Sequence, residues 1–298
     1  MKKMIRNFIP SKIWYQLSKW KIQIKYLKLR KDILHYYYNL SNITLEQQEV
    51  IDFLKNNFID NVFPYNFIKK YKNGDINVYL DEKSKTFYVL HQNKRMYFKK
   101  AYDRFQIQDY YRRLLIEQDK DSPHLYETET FHVSDGDIVA DLGAAEGVFA
   151  LSVIDRVSKI YIFESDQGWI DALKLTFSPY KEKVIINYNY VSDNDINNNI
   201  SLDTYFANQP INFIKADIEG AETLMLAGAK QLLSTIKSNN TLKIILCTYH
   251  HQNDAKEIEN SLKNFGFKTN FSMGYMIYYP DQNIYPPFLR RGLIRAKK

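Results

Sequence analysis

A short apolar run that ends in a glycine-containing turn constrains the fold of this chain more than any other feature. Residues 138–142 have the composition of a buried strand, and the turn after them has the pattern Asp141-x-Gly143-x-x-x-Gly147. Because glycine has no Cβ, such a turn allows backbone N–H groups to approach a ligand closely. Apolar residues follow Gly147, so the stretch predicts a strand, a tight turn and a helix.

From residue 137 onward, strand-like runs alternate with helix-like segments. The predicted strands are 137–142, 159–163, 183–190, 211–217 and 241–248, and the predicted helices are 147–156, 168–177, 220–235 and 253–265. Such alternation is typical of a parallel, doubly wound sheet. Residues 267–273 and 275–279 flank Gly274 and predict a β-hairpin. The predicted fold class is α/β: a mostly parallel doubly wound sheet closed by a C-terminal hairpin, which is typical of the Rossmann-like methyltransferase fold.

The first 130 residues have a different pattern, so the chain divides into four predicted segments. Residues 1–40 predict a basic amphipathic helical arm, and residues 41–130 predict an α+β section. That section combines helices with a three-stranded meander, at 45–55, 75–80, 86–91, 95–99 and 103–119. Residues 131–280 form the predicted Rossmann-like domain, and residues 281–298 form a basic tail.

Positive charge is concentrated in the arm. Residues 1–31 hold ten Lys and Arg side chains and no acidic one, and removing those ten from the net charge of +7 leaves −3. This balance argues against a nucleic-acid substrate for the main domain. Apolar residues recur at helical spacing between the lysines, at Ile13, Leu17, Trp20, Ile24, Leu27, Leu34 and Tyr38. Two alternatives are open: the stripe packs on the body or on a second subunit as a homodimer, or it makes peripheral contact with an anionic membrane.

The remaining bulk properties predict a cytoplasmic protein, with the inner face of the membrane as an alternative location. Cys247 is the one cysteine in 298 residues, so neither a disulfide nor a cysteine metal site is expected. No apolar run approaches the ~20 residues that cross a bilayer. Lysines interrupt the N-terminal residues, which argues against a signal peptide.

Ligands of a doubly wound sheet bind outside the carboxyl ends of its strands, so the residues there are the candidate site. Glu164 stands about 20 residues after the glycine turn, where an acidic residue commonly accepts ribose hydroxyls. Polar residues follow the third, fourth and fifth predicted strands, namely Ser192 and Asp193, Asp217 and Glu219, and His250. Ser192 and Asp193 are placed to meet an adenine amino group.

The turn favours a cationic amino-acid ligand over a nucleoside triphosphate, because it offers a carboxylate and no phosphate-binding lysine. S-adenosylmethionine, with its ammonium, sulfonium and adenosine groups, is such a ligand. The predicted cofactor-binding residues are Asp141, Gly143, Ala144, Glu146, Gly147, Glu164, Ser165, Ser192 and Asp193.

Over roughly residues 130–280 the chain resembles the FkbM-type S-adenosylmethionine-dependent methyltransferases. The matching pieces are residues 141–147, 163–166, 214–222, 249–250 and 262–267, and the Lys-x-Asp-x-Glu-Gly-Ala-Glu run from Lys215 to Glu222 is the most specific. The family usually has Pro where Ser165 stands and commonly has Asn where Ala145 stands. The resemblance implies O-methylation of a small hydroxylated acceptor, often a sugar or a polyketide-like metabolite.

Methyl transfer to a hydroxyl needs a base that takes the proton as the oxygen attacks, and a histidine serves this well at neutral pH. His250 is the first candidate. Asp217 either orients His250 or acts as the base itself, and Glu219 extends from the same loop. These three residues could instead hold a divalent cation, which the spacing leaves open and which is not favoured.

The sequence thus predicts an O-methyltransferase that acts on a hydroxyl of a sugar or glycan precursor. Two alternatives are an NAD-dependent sugar-modifying enzyme and an inactive methyltransferase-like scaffold. The first is weakened because no Gly-x-Gly-x-x-Gly occurs in the chain. The second is disfavoured because a scaffold needs none of Asp141, Glu164, Asp217 and His250.

Overall fold

The computed structural model describes residues 11–235, 241–281 and 283–298. Its helices are α1 (Ser11–Tyr38), α2 (Leu45–Asn56), α3 (Arg104–Glu117), α4 (Val148–Val153), α5 (Gln167–Thr176), α6 (Leu202–Tyr205), α7 (Glu222–Ala227), α8 (Lys230–Thr235) and α9 (Asp254–Asn264). Its strands are β1 (Tyr79–Asp81), β2 (Thr86–His91), β3 (Lys94–Tyr97), β4 (Ile138–Leu142), β5 (Lys159–Phe163), β6 (Val184–Asn187), β7 (Tyr190–Val191), β8 (Asn199–Ile200), β9 (Phe213–Ala216), β10 (Lys243–Cys247), β11 (Lys268–Phe271) and β12 (Leu293–Lys297).

Within the described residues, the large sheet has seven strands in the order β11-β12-β10-β9-β4-β5-β6. The five strands from β10 to β6 are parallel, and β12 runs antiparallel to both of its neighbours. The predicted α/β fold with a mostly parallel, doubly wound sheet is confirmed. The order along the sheet reverses direction at β4 and β9, so the carboxyl ends of these strands are where a ligand is expected.

The predicted C-terminal hairpin has a different second strand. β11 pairs antiparallel with β12, with Phe271 opposite Ile294, so residues 275–279 are not the partner. They cross instead to the N-terminal section, where Ile277 N donates to the carbonyl of Val62 at 2.9 Å. The segment predicted as a basic tail supplies β12, because its apolar residues alternate with Arg and Lys and fill both faces of the sheet.

Two other predicted elements are divided. The strand predicted at 183–190 ends at Asn187, and β7 pairs separately with β8. The helix predicted at 220–235 is interrupted at Gly228, where an added Cβ would lie 2.1 Å from the carbonyl oxygen of Ser192. This close contact holds the loop after β7 against the end of α7.

Alternate residues of the sheet face two separate cores. Val139 and Phe213 face one core, and Ala140 and Ile214 face the other. The first core is continuous with the buried side chains of the N-terminal section. The meander β1–β3 packs there, and Thr176 Oγ1 of α5 accepts a hydrogen bond from Tyr97 N at 3.0 Å. The N-terminal section therefore covers one face of the sheet close to the strand ends.

The buried side chains of α1 do not all belong to the predicted apolar stripe. Ile33 and Tyr37 are buried, and Tyr37 donates a hydrogen bond to the carbonyl of Pro287 at 2.8 Å. Leu27 and Tyr38, which belong to the stripe, are 37% and 89% exposed. Leu34, also of the stripe, packs against the buried core, so the described stripe residues are partly buried at one position and exposed at others, and the partner of the stripe stays a prediction. The stripe residues Leu17, Trp20 and Ile24 lie outside the described side chains. Among the described helices, none has the length and hydropathy to span a bilayer.

Candidate active site at the strand ends

The glycine turn after β4 is held by β5. The N–H groups of Gly143 and Ala144 donate to the carbonyl of Phe163 at 2.9 and 3.2 Å. Ala145 N donates to Glu164 Oε2 at 2.8 Å, and Gly147 N donates to the carbonyl of Ala144 at 2.8 Å. These N–H groups are therefore satisfied inside the protein, and contact between the turn and a cofactor stays a prediction. The backbone is left-handed at Gly143, with φ +69°, and an added Cβ would lie 2.0 Å from the carbonyl oxygen of Asp217.

Glu164 lies at the carboxyl end of β5 and is fixed by two backbone donors. Its Oε2 accepts from Ala145 N, and its Oε1 accepts from Asp166 N at 2.7 Å. The side chain is partly exposed, and each oxygen keeps a lone pair because a carboxylate has about four acceptor positions. Glu164 is therefore oriented and still able to accept hydroxyl groups of a bound ligand.

Asp141 forms a buried ion pair with a residue of the neighbouring strand. Its Oδ1 lies 2.9 Å from Lys215 Nζ, and Asp141 is fully buried. Lys215 also donates to the carbonyl of Gly143 at 2.9 Å. Burial lowers the pKa of Lys215, but the charges of Asp141 and Asp217 outweigh it, so the pKa is raised overall. The pair joins the ends of β4 and β9, and a contact between Asp141 and a ligand stays a prediction.

Glu146 is buried beneath the N-terminal section. Its Oε2 accepts a hydrogen bond from the hydroxyl of Tyr110 in α3 at 2.8 Å. Burial raises the pKa of Glu146 to about 7. Glu146 thus connects the glycine turn to α3, and no described contact tests its predicted role in cofactor binding.

Asp217 is surrounded by hydrogen-bond donors. The hydroxyls of Tyr126 and Tyr249 donate to Oδ2 and Oδ1, each at 3.1 Å. His124 Nε2 lies 3.5 Å from Oδ2. Burial favours the neutral acid, but the hydrogen bond and charge of His124, with Lys215, hold the pKa of Asp217 far below its usual range. A carboxylate held so firmly as an anion is a poor proton acceptor, and the choice between Asp217 as the base and Asp217 as the residue that orients His250 stays a prediction.

His250, which follows β10, lies between three carboxylates, of which Asp217 and Glu219 were predicted to be near it and Glu222 was not. Nε2 is 3.5 Å from Asp217 Oδ1 and 3.8 Å from Glu219 Oε2, and Nδ1 is 3.4 Å from Glu222 Oε1. Burial lowers the pKa of His250, but the hydrogen bond to Glu222 and the charge of Asp217 outweigh it and raise the pKa overall. The structure therefore brings Asp217, Glu219 and His250 together, with Glu219 on the exposed rim.

The loop after β10 is clamped by Arg290. Its Nη1 donates to the carbonyls of Tyr249 and His250 at 2.7 and 2.8 Å. Its Nη2 pairs with Asp281 Oδ2 at 2.5 Å. Because all three contacts converge on one buried guanidinium, the position of His250 depends on the segment that returns from the C-terminal end of the chain.

Two cavities open at this cluster and share Tyr278 and Pro280. The cavity beside His250, here the His250 recess, has a volume of about 400 Å³ and is lined by Glu219, His250, His251, Tyr278, Pro280, Asp281 and Asn283. The second has a volume of about 360 Å³ and includes Glu117, His124 and Tyr249 in its lining. Since His124 and Tyr249 both contact Asp217, the cluster lies between the two cavities.

Among the residues that the structure describes, two sets of side chains have atoms close enough together to bind a metal ion. They are His124, Asp217 and Cys247, and Asp217, Glu222 and His250, with the atoms of each set within 4.8 Å of one another. In the second set the carboxylates lie beside different nitrogens of the imidazole, an arrangement that orients the ring. The predicted metal set contained Glu219, whose side chain is 88% exposed.

The remaining predicted cofactor residues are Ser165, Ser192 and Asp193. Ser165 follows Glu164 directly, and Ser192 is buried with its hydroxyl donating to Asp193 Oδ1 at 3.2 Å. His124, Tyr126 and Tyr249 were missed as site residues. Tyr249 stood beside His250 in the family pattern, whereas His124 and Tyr126 come from the N-terminal section, where the sequence carried no signal for them.

The order of the seven described strands and the position of the site at their carboxyl ends are those of a Rossmann-like methyltransferase fold. The predicted fold class is therefore confirmed. Residues 176–269 match a family model described as the methyltransferase FkbM domain. The match confirms the resemblance to FkbM-type methyltransferases. It includes Asp217, Glu222 and His250, and it begins after the glycine turn.

Solved structures with a similar fold include methyltransferase FkbM from Methylobacillus flagellatus KT, which is 17% identical, with a TM-score of 0.46. The alignment covers 65% of this chain and 53% of that one, so this chain spans about half the length of the FkbM structure. SMU.1697c from Streptococcus mutans, solved in complex with SAH, is 15% identical over 56% of this chain and 90% of its own, with a TM-score of 0.35. Trm5b from Pyrococcus abyssi is 12% identical over 74% of this chain and 62% of its own, with a TM-score of 0.38. No curated protein matches the chain.

Proposed function

We propose that this protein is an S-adenosylmethionine-dependent O-methyltransferase that methylates a hydroxyl group of a sugar or glycan precursor. One observation carries the proposal: the glycine turn that Glu164 holds lies against the loop that contains Asp217, beside His250. Gly143 and Asp217 are in direct backbone contact, and Lys215 spans both loops. A cofactor at the turn would therefore be adjacent to a candidate base.

The residues present fit S-adenosylmethionine. Glu164 would hold the ribose hydroxyls, and Ser192 and Asp193 would lie near the adenine. When bound, S-adenosylmethionine supplies a methyl group on a positively charged sulfur, which the acceptor oxygen displaces in line. The negative charge of Asp217, held beside the turn, favours a cationic sulfonium there.

The acceptor would enter the His250 recess. This recess offers carboxylates and imidazoles beside the side chain of Tyr278, a lining suited to a molecule with several hydroxyl groups. His250 Nε2 would accept the proton of the reacting hydroxyl while the new C–O bond forms and the sulfur keeps the electron pair of the broken bond. The charges balance because the proton that the acceptor hydroxyl loses is taken up by the imidazole.

Calorimetry tests the cofactor. We expect S-adenosylmethionine to bind and NAD not to bind. Glu164→Ala should weaken binding at least tenfold, because each hydrogen bond to a charged acceptor contributes about 1.5–3 kcal/mol. Glu164→Gln keeps one acceptor oxygen and should lose less, and Glu182→Ala, at an exposed position, is the control. Equal affinity in all three variants would refute the ribose assignment, and binding of NAD alone would favour the oxidoreductase alternative.

Transfer of radiolabelled methyl groups to the host's own polysaccharide fraction tests the reaction. His250→Ala should bind the cofactor nearly as the wild type does and lose about 10²–10⁴-fold in turnover. If that variant retains turnover and Asp217→Asn abolishes it, Asp217 is the base. Activity that disappears with a chelator and returns with magnesium would show that a divalent cation takes part.

A further inference from the structure

Glu222 is a buried carboxylate beside His250 to which the proposed reaction gives no role. Its side chain is 1% exposed, and Oε1 accepts a hydrogen bond from Ile218 N at 3.0 Å. The same oxygen lies 3.4 Å from His250 Nδ1. Within the described residues, neither Oε2 of Glu222 nor Nδ1 of His250 has a hydrogen-bond partner. Buried polar groups are costly to leave unpaired, and a proton on Nδ1 would give the imidazole a donor beside the Glu222 carboxylate.

The other ring nitrogen of His250 faces the rim of the site. Nε2 is near Asp217 and Glu219, and Glu219 is 88% exposed. Asp217 already accepts hydrogen bonds from the hydroxyls of Tyr126 and Tyr249. The need for a ring N–H is therefore greater on the Glu222 side than on the Asp217 side. His250 and Glu219 both line the recess, and Nε2 is the ring nitrogen on the Glu219 side.

We propose that Glu222 is a positioning residue that holds the proton of His250 on Nδ1, so that Nε2 stays unprotonated and faces the acceptor hydroxyl. The inference rests on the function proposed above. As the acceptor oxygen forms its bond to the methyl carbon, its proton passes to Nε2, and Glu222 then stabilises the doubly protonated ring. This division of roles between a base and a buried carboxylate follows the logic of a catalytic triad.

Several other groups surround the ring and bear on its protonation. Asp217 and Glu219 face it from the loop after β9, Tyr249 and Tyr278 pack against it, and Asp254 and Arg290 lie on the adjoining segments. Replacing Glu222 by Gln removes one of these charges and leaves the others. The pKa of His250 should therefore fall in Glu222→Gln, because a hydrogen bond to a carboxylate favours the protonated ring.

The tautomer of His250 is measured directly by long-range ¹H–¹⁵N NMR on the full chain, which has six histidines. His250→Gln assigns the resonances. In the wild-type protein, above the pKa of the ring, we expect the Nδ1–H tautomer. Glu222→Gln should shift the population toward Nε2–H, whereas Glu219→Gln, at the exposed rim, should leave it unchanged. A wild-type ring protonated on Nε2 would overturn the inference without any variant.

Steady-state kinetics give the second readout. Glu222→Gln should lower kcat about 10²-fold or more, while KM for the acceptor fraction and Kd for S-adenosylmethionine change less than about threefold. The acid limb of the pH–rate profile should move to lower pH, since the base must be neutral to act. Glu222→Asp should recover part of kcat, and it replaces Glu222→Gln if that variant fails to fold. If kcat of a Glu222 variant falls only as much as the folded fraction falls, and the tautomer and the pH profile are unchanged, Glu222 has a structural role alone.

The NMR and the kinetic experiments together distinguish a failure of this inference from a failure of the proposed function. The NMR measurement needs no acceptor and no turnover. If the ring is protonated on Nδ1 and the protein transfers no methyl group, the proposed function fails and the assignment of the tautomer stands. If methyl transfer occurs and the ring is protonated on Nε2, the role of Glu222 is wrong and the proposed function stands.

Discussion

Lys215 and Asp141 are charged residues that the fold places in the protein interior. Their role there is to form an ion pair with each other. Both belong to the motifs of the sequence, yet their charges face each other in the interior, 2.9 Å apart, rather than a ligand. Removing one partner of a buried pair leaves an uncompensated charge, whereas replacing both by apolar groups is often tolerated. The pair is thus a sensitive test of how the strand ends are held.

Lys215→Met should lower the free energy of unfolding by about 3–5 kcal/mol. The double variant Lys215→Met/Asp141→Leu should lose less than the single variant, because no isolated charge remains. Urea denaturation followed by circular dichroism gives both values. Lys55→Met removes an ion pair in which both side chains are more than half exposed, and should change stability by less than about 1 kcal/mol. Equal losses in the buried and exposed variants would contradict this account.

At the scale of elements, the turns between strands and helices decide which loops meet. The turn after β4 can contact the loop after β9 only because residue 143 has no side chain. Ala145 in the same turn also has a left-handed backbone, with φ +47°, at the position where the FkbM-type pattern commonly has Asn. Asn tolerates this conformation better than Ala does, so the present turn relies on its hydrogen bonds to β5 and Glu164.

Gly143→Ala should destabilise the protein well beyond Gly136→Ala. Both glycines have positive φ, +69° and +82°, so each variant bears a conformational cost of about 1–2 kcal/mol. At Gly136 the added methyl group meets nothing within 4 Å, while at Gly143 it would lie 2.0 Å from a backbone oxygen. Thermal unfolding and calorimetric binding of S-adenosylmethionine measure the difference. Similar melting temperatures for the two variants would show that the loops move apart easily.

For the whole molecule, the two apolar faces of α1 have different surroundings. One face, with Ile33 and Tyr37, is buried in the body, and the other presents Leu27 beside the exposed Lys28 and Lys31. We propose that this outer face makes weak, reversible contact with an anionic membrane surface. Charge complementarity supports the proposal, because each Lys or Arg near such a surface contributes about 1 kcal/mol.

Co-sedimentation with phosphatidylcholine vesicles, with and without phosphatidylglycerol, tests the membrane contact. Binding should require the anionic lipid and weaken with salt, since the Debye length is about 8 Å at physiological ionic strength. Replacing Lys19, Lys21, Lys25 and Lys28 by Gln should reduce binding at least tenfold. Replacing the exposed Lys83, Lys85, Lys100 and Lys181 by Gln is the matched control. Absence of binding at low salt, with a dimer seen by light scattering, would favour the second subunit as the partner of the arm.

The alternation of apolar runs from residue 137 determined the parallel sheet. The hydrophobic periodicity that distinguishes a buried strand from a helix is a local property of the residues in each element. The same logic placed Glu164, Asp217, Glu219 and His250 at strand ends, and their positions in space follow from the sheet. The pairing of β11 was not predictable in this way. Residues 275–279 and 293–297 both have strand-like composition, and only packing against the N-terminal section removed the first from the sheet.

The surroundings of the site were decided by tertiary structure. His124 and Tyr126, which hold Asp217, are about 90 residues from it along the chain, and no local period or motif connects them. The sequence determined which residues stand at the ends of the strands, since that depends on local pattern. It did not determine which of their atoms face a partner within the protein, because burial, ion pairing and tautomer depend on side chains that the fold brings from elsewhere.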